Sequence, residues 1–200
     1  MSQHEPLAAL PPGSQAVVEW ARRRGFRVEP RPDPAWFSAW EPFDTMLSAS
    51  IYYNAVTWSM AQGQGTLAEP WLAPPDGEPL DRTVLAFVTH PGFSRRVAVR
   101  GGEHFNTRVA FLDNPPPPRV ELGDPDWDAR WVTLASSASE ARAALGPRAR
   151  ELLTGWQFSG HLELRPGGLI VHFAGTIPRP DHLDRLVSAV DKLVVGLTAS

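Results

Sequence analysis

Apolar positions recur along this chain at two spacings, every second residue and every third or fourth, and the changes between them outline the elements. Val17, Trp20 and Ala21 fall at i, i+3 and i+4, which predicts a helix over 15–24 with Ser14 as its cap and Gly25 as the left-handed residue beyond its end. Phe26, Val28 and Pro30 then alternate with polar partners. Pro32 and Pro34 end that short strand and open an aromatic stretch of Trp36, Phe37, Trp40 and Phe43. The runs Tyr53 to Met60, Gly65 to Ala73, Arg82 to His90, Arg95 to Arg100 and Arg108 to Leu112 are rich in β-branched or aromatic residues and separated by Gly, Pro, Asp or Asn, so they predict the strands of an antiparallel meander.

Four consecutive prolines, Pro115 to Pro118, favour extended polyproline II and divide the pattern in two. Beyond them Trp131 to Ala135 reads as a strand. Ser137 with Glu140 three residues on forms a capping box for a helix that Gly146-Pro147 interrupts and restarts over 147–154. His161 to Arg165 and Leu169 to Ala174 form the clearest hairpin, with Leu162, Leu164, Leu169, Val171 and Phe173 on one face. A two-residue turn at Pro166-Gly167 sets His161 opposite His172 on the other face. Asp181 is the expected cap of a closing helix whose Leu183, Leu186, Val187, Val190, Leu193, Val194 and Leu197 follow the helical period.

These elements predict an α+β fold: an antiparallel β-sheet, built from the meander and a C-terminal βα-ββ-α unit, with the N-terminal helix, the helix at 138–154 and the C-terminal helix packed on one face. Residues 1–13 read as a flexible lead-in and 14–200 as a single domain, a size that can bury a core without staples. The 21 prolines and 16 glycines indicate many loops, while 42% hydrophobic content argues against general disorder. No apolar run is long enough to span a membrane and the first residues lack a signal pattern, so the sequence reading is a cytoplasmic protein.

The absence of cysteine removes disulfides, thiolate nucleophiles and Cys-held metals. Neither G-x-S-x-G, a Walker loop, G-x-G-x-x-G after a strand, S-x-x-K nor H-E-x-x-H occurs, and no cofactor is indicated. Asp124, Asp126 and Asp128 alternate as in a calcium loop, but Ala129 and Ala135 stand where Gly and Glu would be required, so they are expected to solvate a turn. His161, Glu163 and His172 share a hairpin face and form the candidate metal set, against the plainer reading of a solvated sheet face. Arg22, Arg23 and Arg24 complement the dipole at the end of the first helix. A net charge of −3 does not favour nucleic acid. Eight tryptophans are many for this length, and Trp36 and Trp40, with Arg22, Arg23 and Arg24, are the candidate anchors for a protein partner.

The layout resembles a family of uncharacterised bacterial proteins whose soluble domain often follows N-terminal transmembrane helices. Ala21, Gly25, Phe26 and Val28 fit its opening helix and strand, Trp127 and Trp131 its aromatic pair, Ala141 to Leu145 its middle helix, Leu162 to Phe173 its hairpin and Leu183 to Leu197 its last helix. Thr133 and Ala144 depart from the pattern, standing where Val and Leu are usual. The resemblance implies no activity and no catalytic residues. The function expected from the residues is a non-catalytic interaction or scaffold module. The alternatives are a metal-dependent hydrolase using His161, Glu163 and His172, or a small-molecule sensor with its pocket between sheet and helices.

Overall fold

The computed structural model of the protein describes residues 10–46, 48–49, 51–71, 82–102 and 116–199. In chain order these form α1 (Ser14–Arg23), β1 (Arg27–Glu29), α2 (Pro34–Ser38), β2 (Ile51–Met60), β3 (Gly63–Trp71), β4 (Leu85–Thr89), β5 (Val97–Gly101) and β6 (Arg119–Val120). They continue with α3 (Pro125–Arg130), β7 (Trp131–Leu134), α4 (Ala138–Ala144), α5 (Pro147–Gly155), β8 (Gly160–Arg165), β9 (Gly168–Phe173) and α6 (Pro180–Thr198). The strand expected at Arg108 to Leu112 lies outside the described residues.

The nine described strands make one sheet in the order β1-β2-β3-β4-β9-β8-β5-β7-β6, and every pairing is antiparallel. The meander runs β1 to β4 and then stops, because β9 pairs with β4 and β8 pairs with β5. The C-terminal hairpin therefore sits in the middle of the sheet, and its near-continuous burial follows from having a strand on each side and a layer on each face.

Strand alternation gives the sheet two apolar faces. The larger core gathers Val56, Trp58, Leu67, Ala86, Val88, Val97, Val99, Leu162, Leu164, Leu169 and Val171 from the strands with Val17, Trp20 and Ala21 of α1, Trp127 of α3, residues of α4 and α5, and the apolar stripe of α6. All seven apolar residues expected to line α6 are buried. Each withdraws from water for about 1.5–3 kcal/mol, so α6 is held by its packing more than by intrinsic propensity. The opposite face carries a smaller, aromatic core in which Phe37, Trp40 and Phe43 cover Tyr52, Phe87 and Ile170. The proline-bounded aromatic stretch is thus a strap, residues 34–46, laid across the second face.

Local signals account for most helix ends. Ser137 accepts from the Glu140 N–H at 3.1 Å as a cap, whereas the Glu140 carboxylate turns to Arg95 at 3.0 Å instead of closing the capping box. Two expected caps are displaced. Gly13 precedes α1, and Ser14 lies inside the helix with its hydroxyl accepting from Asn54 Nδ2 at 2.9 Å. Arg179 precedes α6 because Pro180, which has no N–H to satisfy, takes the first helical position and moves Asp181 into the first turn. The aspartates taken for a solvated turn build α3: Asp124 caps it at Trp127 N, and Asp128 accepts from the N–H groups of Leu122, Gly123 and Asp124.

Tryptophans fasten the layers by polar as well as apolar contact. Trp20 Nε1 and Trp58 Nε1 donate to Asp184 and Asp191 of α6, each at 3.0 Å, and Trp131 Nε1 donates to the Phe158 carbonyl at 2.8 Å. Trp58 and Trp131 also lie flat on the strand residues opposite them, Gly65 and Gly101, where an added Cβ would stand 2.1 Å and 2.4 Å from the nearest ring atom. Gly65→Ala is therefore expected to lower unfolding free energy by about 1–3 kcal/mol through overpacking. Gly155→Ala at the end of α5, with nothing within 4 Å of the added carbon, is expected to be neutral or slightly stabilising; urea titration of both variants checks the contrast.

Candidate functional site

The titratable residues of the central hairpin meet the strap. Because Gly167 takes the left-handed conformation (φ 79°) that closes the Pro166-Gly167 turn, the register places His161 against His172 and Glu163 against Ile170. Their side chains point away from the larger core. The expected solvated face is instead covered: His161 is 1% exposed, Glu163 0% and His172 8%.

Glu163 is the hub of this seam. Its Oε1 accepts from the Thr45 N–H at 2.8 Å and the Thr45 hydroxyl at 3.1 Å, and its Oε2 accepts from Arg165 Nη2 at 2.8 Å. Arg165 reaches further along the strap, donating through Nη2 to the Pro42 carbonyl at 2.6 Å and through Nη1 to the Trp40 carbonyl. On the neighbouring stretch Arg96 pairs with Asp44 of the strap at 2.6 Å. Three arginine or glutamate side chains from the sheet thus hold the backbone and side chains of residues 40–45.

The imidazoles extend the seam. His161 Nδ1 and the Thr45 hydroxyl are 2.7 Å apart. The single hydroxyl proton of Thr45 is directed at the Glu163 carboxylate, so Nδ1 of the neutral ring carries the proton of this contact. His172 Nε2 is 2.7 Å from the Thr83 hydroxyl, and the two rings lie 5.9 Å apart. Burial, and secondarily the charges of His172 and Arg100, pushes His161 down to about 3. Burial alone pushes His172 down to about 4. The Glu163 carboxyl is raised by burial, against the opposing backbone hydrogen bonds and the Arg165 charge.

These hydrogen bonds tie the strap to the central hairpin. Among the described residues, no three His, Asp or Glu side chains are placed to hold a metal ion. The Glu163 carboxylate is taken up by Thr45 of the strap and Arg165 of its own strand, which is the physical reason the hairpin trio does not converge. The sequence placed His161, Glu163 and His172 on one face correctly. It gave no sign of Thr45 or Thr83 as their partners, or of the strap contacts of Arg165 and Arg96, because these join residues 52 to 125 positions apart.

The proposed partner anchors divide. Trp36 is 37% exposed, with its ring 5.6 Å from Phe87 and 5.5 Å from Trp40. Trp40 is a correction: it is 9% exposed and packs on Gly168 of β9, so it belongs to the core under the strap. Arg22, Arg23 and Arg24 are exposed, and Arg24 pairs with Asp184 at 3.1 Å beside the Phe26 ring. Since α1 packs on the larger core and α2 on the smaller one, these arginines and Trp36 lie on opposite faces of the sheet.

No family model matches the chain, and no curated protein matches it. Among solved structures it is similar to the crystal structure of the mycobacterial trehalose monomycolate transport factor A, TtfA, with a TM-score of 0.61 at 14% identity, covering 93% of this chain and 97% of that one. At this identity the likeness establishes a shared fold across nearly the whole of both chains. No helix among the described residues is long and apolar enough to cross a membrane.

The two imidazoles give the fold a pH signature. Their folded pKa values of about 3 and 4 lie below the free value, so the unfolded state binds more protons as pH falls. Stability is then expected to drop between pH 6.5 and pH 4, on the order of 2 kcal/mol for each ring by pH 4.5. Glu163, shifted upward, opposes part of this, since its contribution is lost as pH rises. His172→Gln, which keeps a partner for Thr83, should flatten the decline; denaturation midpoints measured from pH 7 to pH 4 check it.

Proposed function

We propose that this domain is a non-catalytic protein-interaction or scaffold module of a bacterial cytoplasmic assembly, engaging its protein partner through the strap face. The observation that carries the reading is Trp36. Its neighbours Phe37 and Trp40 are buried, and Phe87 lies beneath them, so the indole stands on a rigid aromatic bed with little conformational freedom left to lose. A large, preorganised, partly exposed aromatic ring is the kind of residue that dominates protein interfaces. The hairpin's titratable groups are engaged in holding the strap in place, and that supports a presenting surface over a reaction centre.

The likeness to TtfA supports the kind of assembly. That protein is described as a transport factor, and we carry over an accessory role in a transport assembly as part of the proposal. The resemblance to bacterial proteins whose soluble domain follows transmembrane helices agrees with such a setting, as a proposal of the same standing. The exposed Arg22 and Arg23 of α1 offer a second, electrostatic contact on the opposite face.

The test is partner capture by the tagged protein in its native host, at low and high salt, with mass spectrometry. Trp36→Ala is expected to weaken a stoichiometric protein partner by at least tenfold while leaving the fold intact. Trp40→Ala should instead lower stability by about 3–5 kcal/mol. Capture undiminished by Trp36→Ala overturns the assignment, and a partner lost only in Arg22→Ala, Arg23→Ala and at high salt moves the interface to α1.

A further inference from the structure

Strand β2 carries an irregularity whose side chain is unusual in its surroundings. The register with β3 shifts between Tyr53 and Val56, and within the shift Asn54 adopts the left-handed conformation at φ 51°. The residue is 1% exposed. Its Nδ2 donates to Ser14 Oγ at 2.9 Å and to Glu69 Oε1 at 2.6 Å. These two contacts fix the orientation of the amide, because the end that faces a carboxylate must be the donor. The other end, Oδ1, is then a buried acceptor with no hydrogen-bond partner among the described residues.

Beside it lies a small cavity between α1, the sheet and the start of α6, lined by Val17, Asn54, Leu67, Glu69, Val84 and Leu183 among others, with about 10 Å³ of room for the centre of a water molecule. That is the space one water needs and less than any metabolite requires. Two of its lining residues, Asn54 and Glu69, carry acceptors: the unpartnered Asn54 Oδ1, and a Glu69 carboxylate whose oxygens retain lone pairs beyond those used by Asn54 and Arg82. An occupant must therefore supply hydrogens to both. Arg82 already pairs with Glu69 at 2.6 Å, so the site does not call for a second positive charge.

We infer that this cavity is the binding site of a single water molecule, which donates one hydrogen to Asn54 Oδ1 and the other to Glu69 and so ties the bulge of β2 to α1 and α6. The water completes the polar cluster that begins at Ser14 and ends at Arg82, and it explains an asparagine in the left-handed conformation at a buried strand position. It also assigns this space between sheet and helices to solvent rather than to a small-molecule ligand.

Two measurements on the unmodified protein test it. A high-resolution crystal structure should show one peak at about 2.6–3.2 Å from both Asn54 Oδ1 and a Glu69 oxygen. In solution, water-selective NMR should give cross-peaks from a long-lived water to the Val84 and Leu183 methyl groups and the Asn54 amide. A cavity without that peak overturns the inference, as does a peak that acquires anomalous signal on soaking with rubidium chloride, or the loss of the cross-peaks in a fully assigned spectrum.

Discussion

The pairing of β8 with β9 is the constraint on which the rest of the structure depends. Side chains alternate along a strand, so the register fixed at the Pro166-Gly167 turn decides which residues face which layer. In the observed register Leu162, Leu164, Leu169 and Val171 enter the larger core while His161, Glu163 and His172 face the strap. A slip of one residue in either strand would bring a buried carboxylate or imidazole against leucines and α6, and leave the strap without its hub. Because β4 and β5 pair with the outer edges of this hairpin, the same register propagates to both halves of the sheet.

The two faces are secured by different means. On the larger face, apolar area does most of the work, and tryptophan N–H groups directed at Asp184 and Asp191 fix where α6 lies along the sheet. Among the described residues, the second face is covered by a five-residue helix and a loop. There the aromatic cluster is joined by charge-assisted bonds from Arg96, Glu163 and Arg165, which are stronger than neutral ones and costly to break once buried. The hairpin's titratable residues are thus tied into the architecture of this face, on the outer side of which Trp36 is partly exposed.

Much of the fold was legible in the sequence. Strands, the C-terminal hairpin and its register, the broken helix at 138–154 and the apolar stripe of α6 all follow from local periodicity and turn residues, which are what the chain displays directly. The position of the hairpin between β4 and β5 was not legible, since pairing between segments about sixty to eighty-five residues apart leaves no local trace. The cluster of His161, Glu163 and His172 was readable as a set but not as a buried one: polar residues at alternate positions mark an outward face, and only the strap, whose docking is nonlocal, turns that face inward. The same limit explains Trp40. An aromatic run between prolines looks like an exposed ligand until its partner surface, Gly168 and Phe87, is known.

The central place of β8 and β9 also governs the order in which the molecule can be completed. During synthesis β1 to β4 can pair among themselves, as can β5 with β7, but among the described strands the two groups share no contact until the chain has emerged past Phe173. Until then each presents an unpaired edge, β4 on one and β5 on the other, of the sort that invites association between nascent chains. The last hairpin is the piece that turns two half-sheets into one and closes both edges at once, so assembly is governed by contacts distant in sequence and is correspondingly slow.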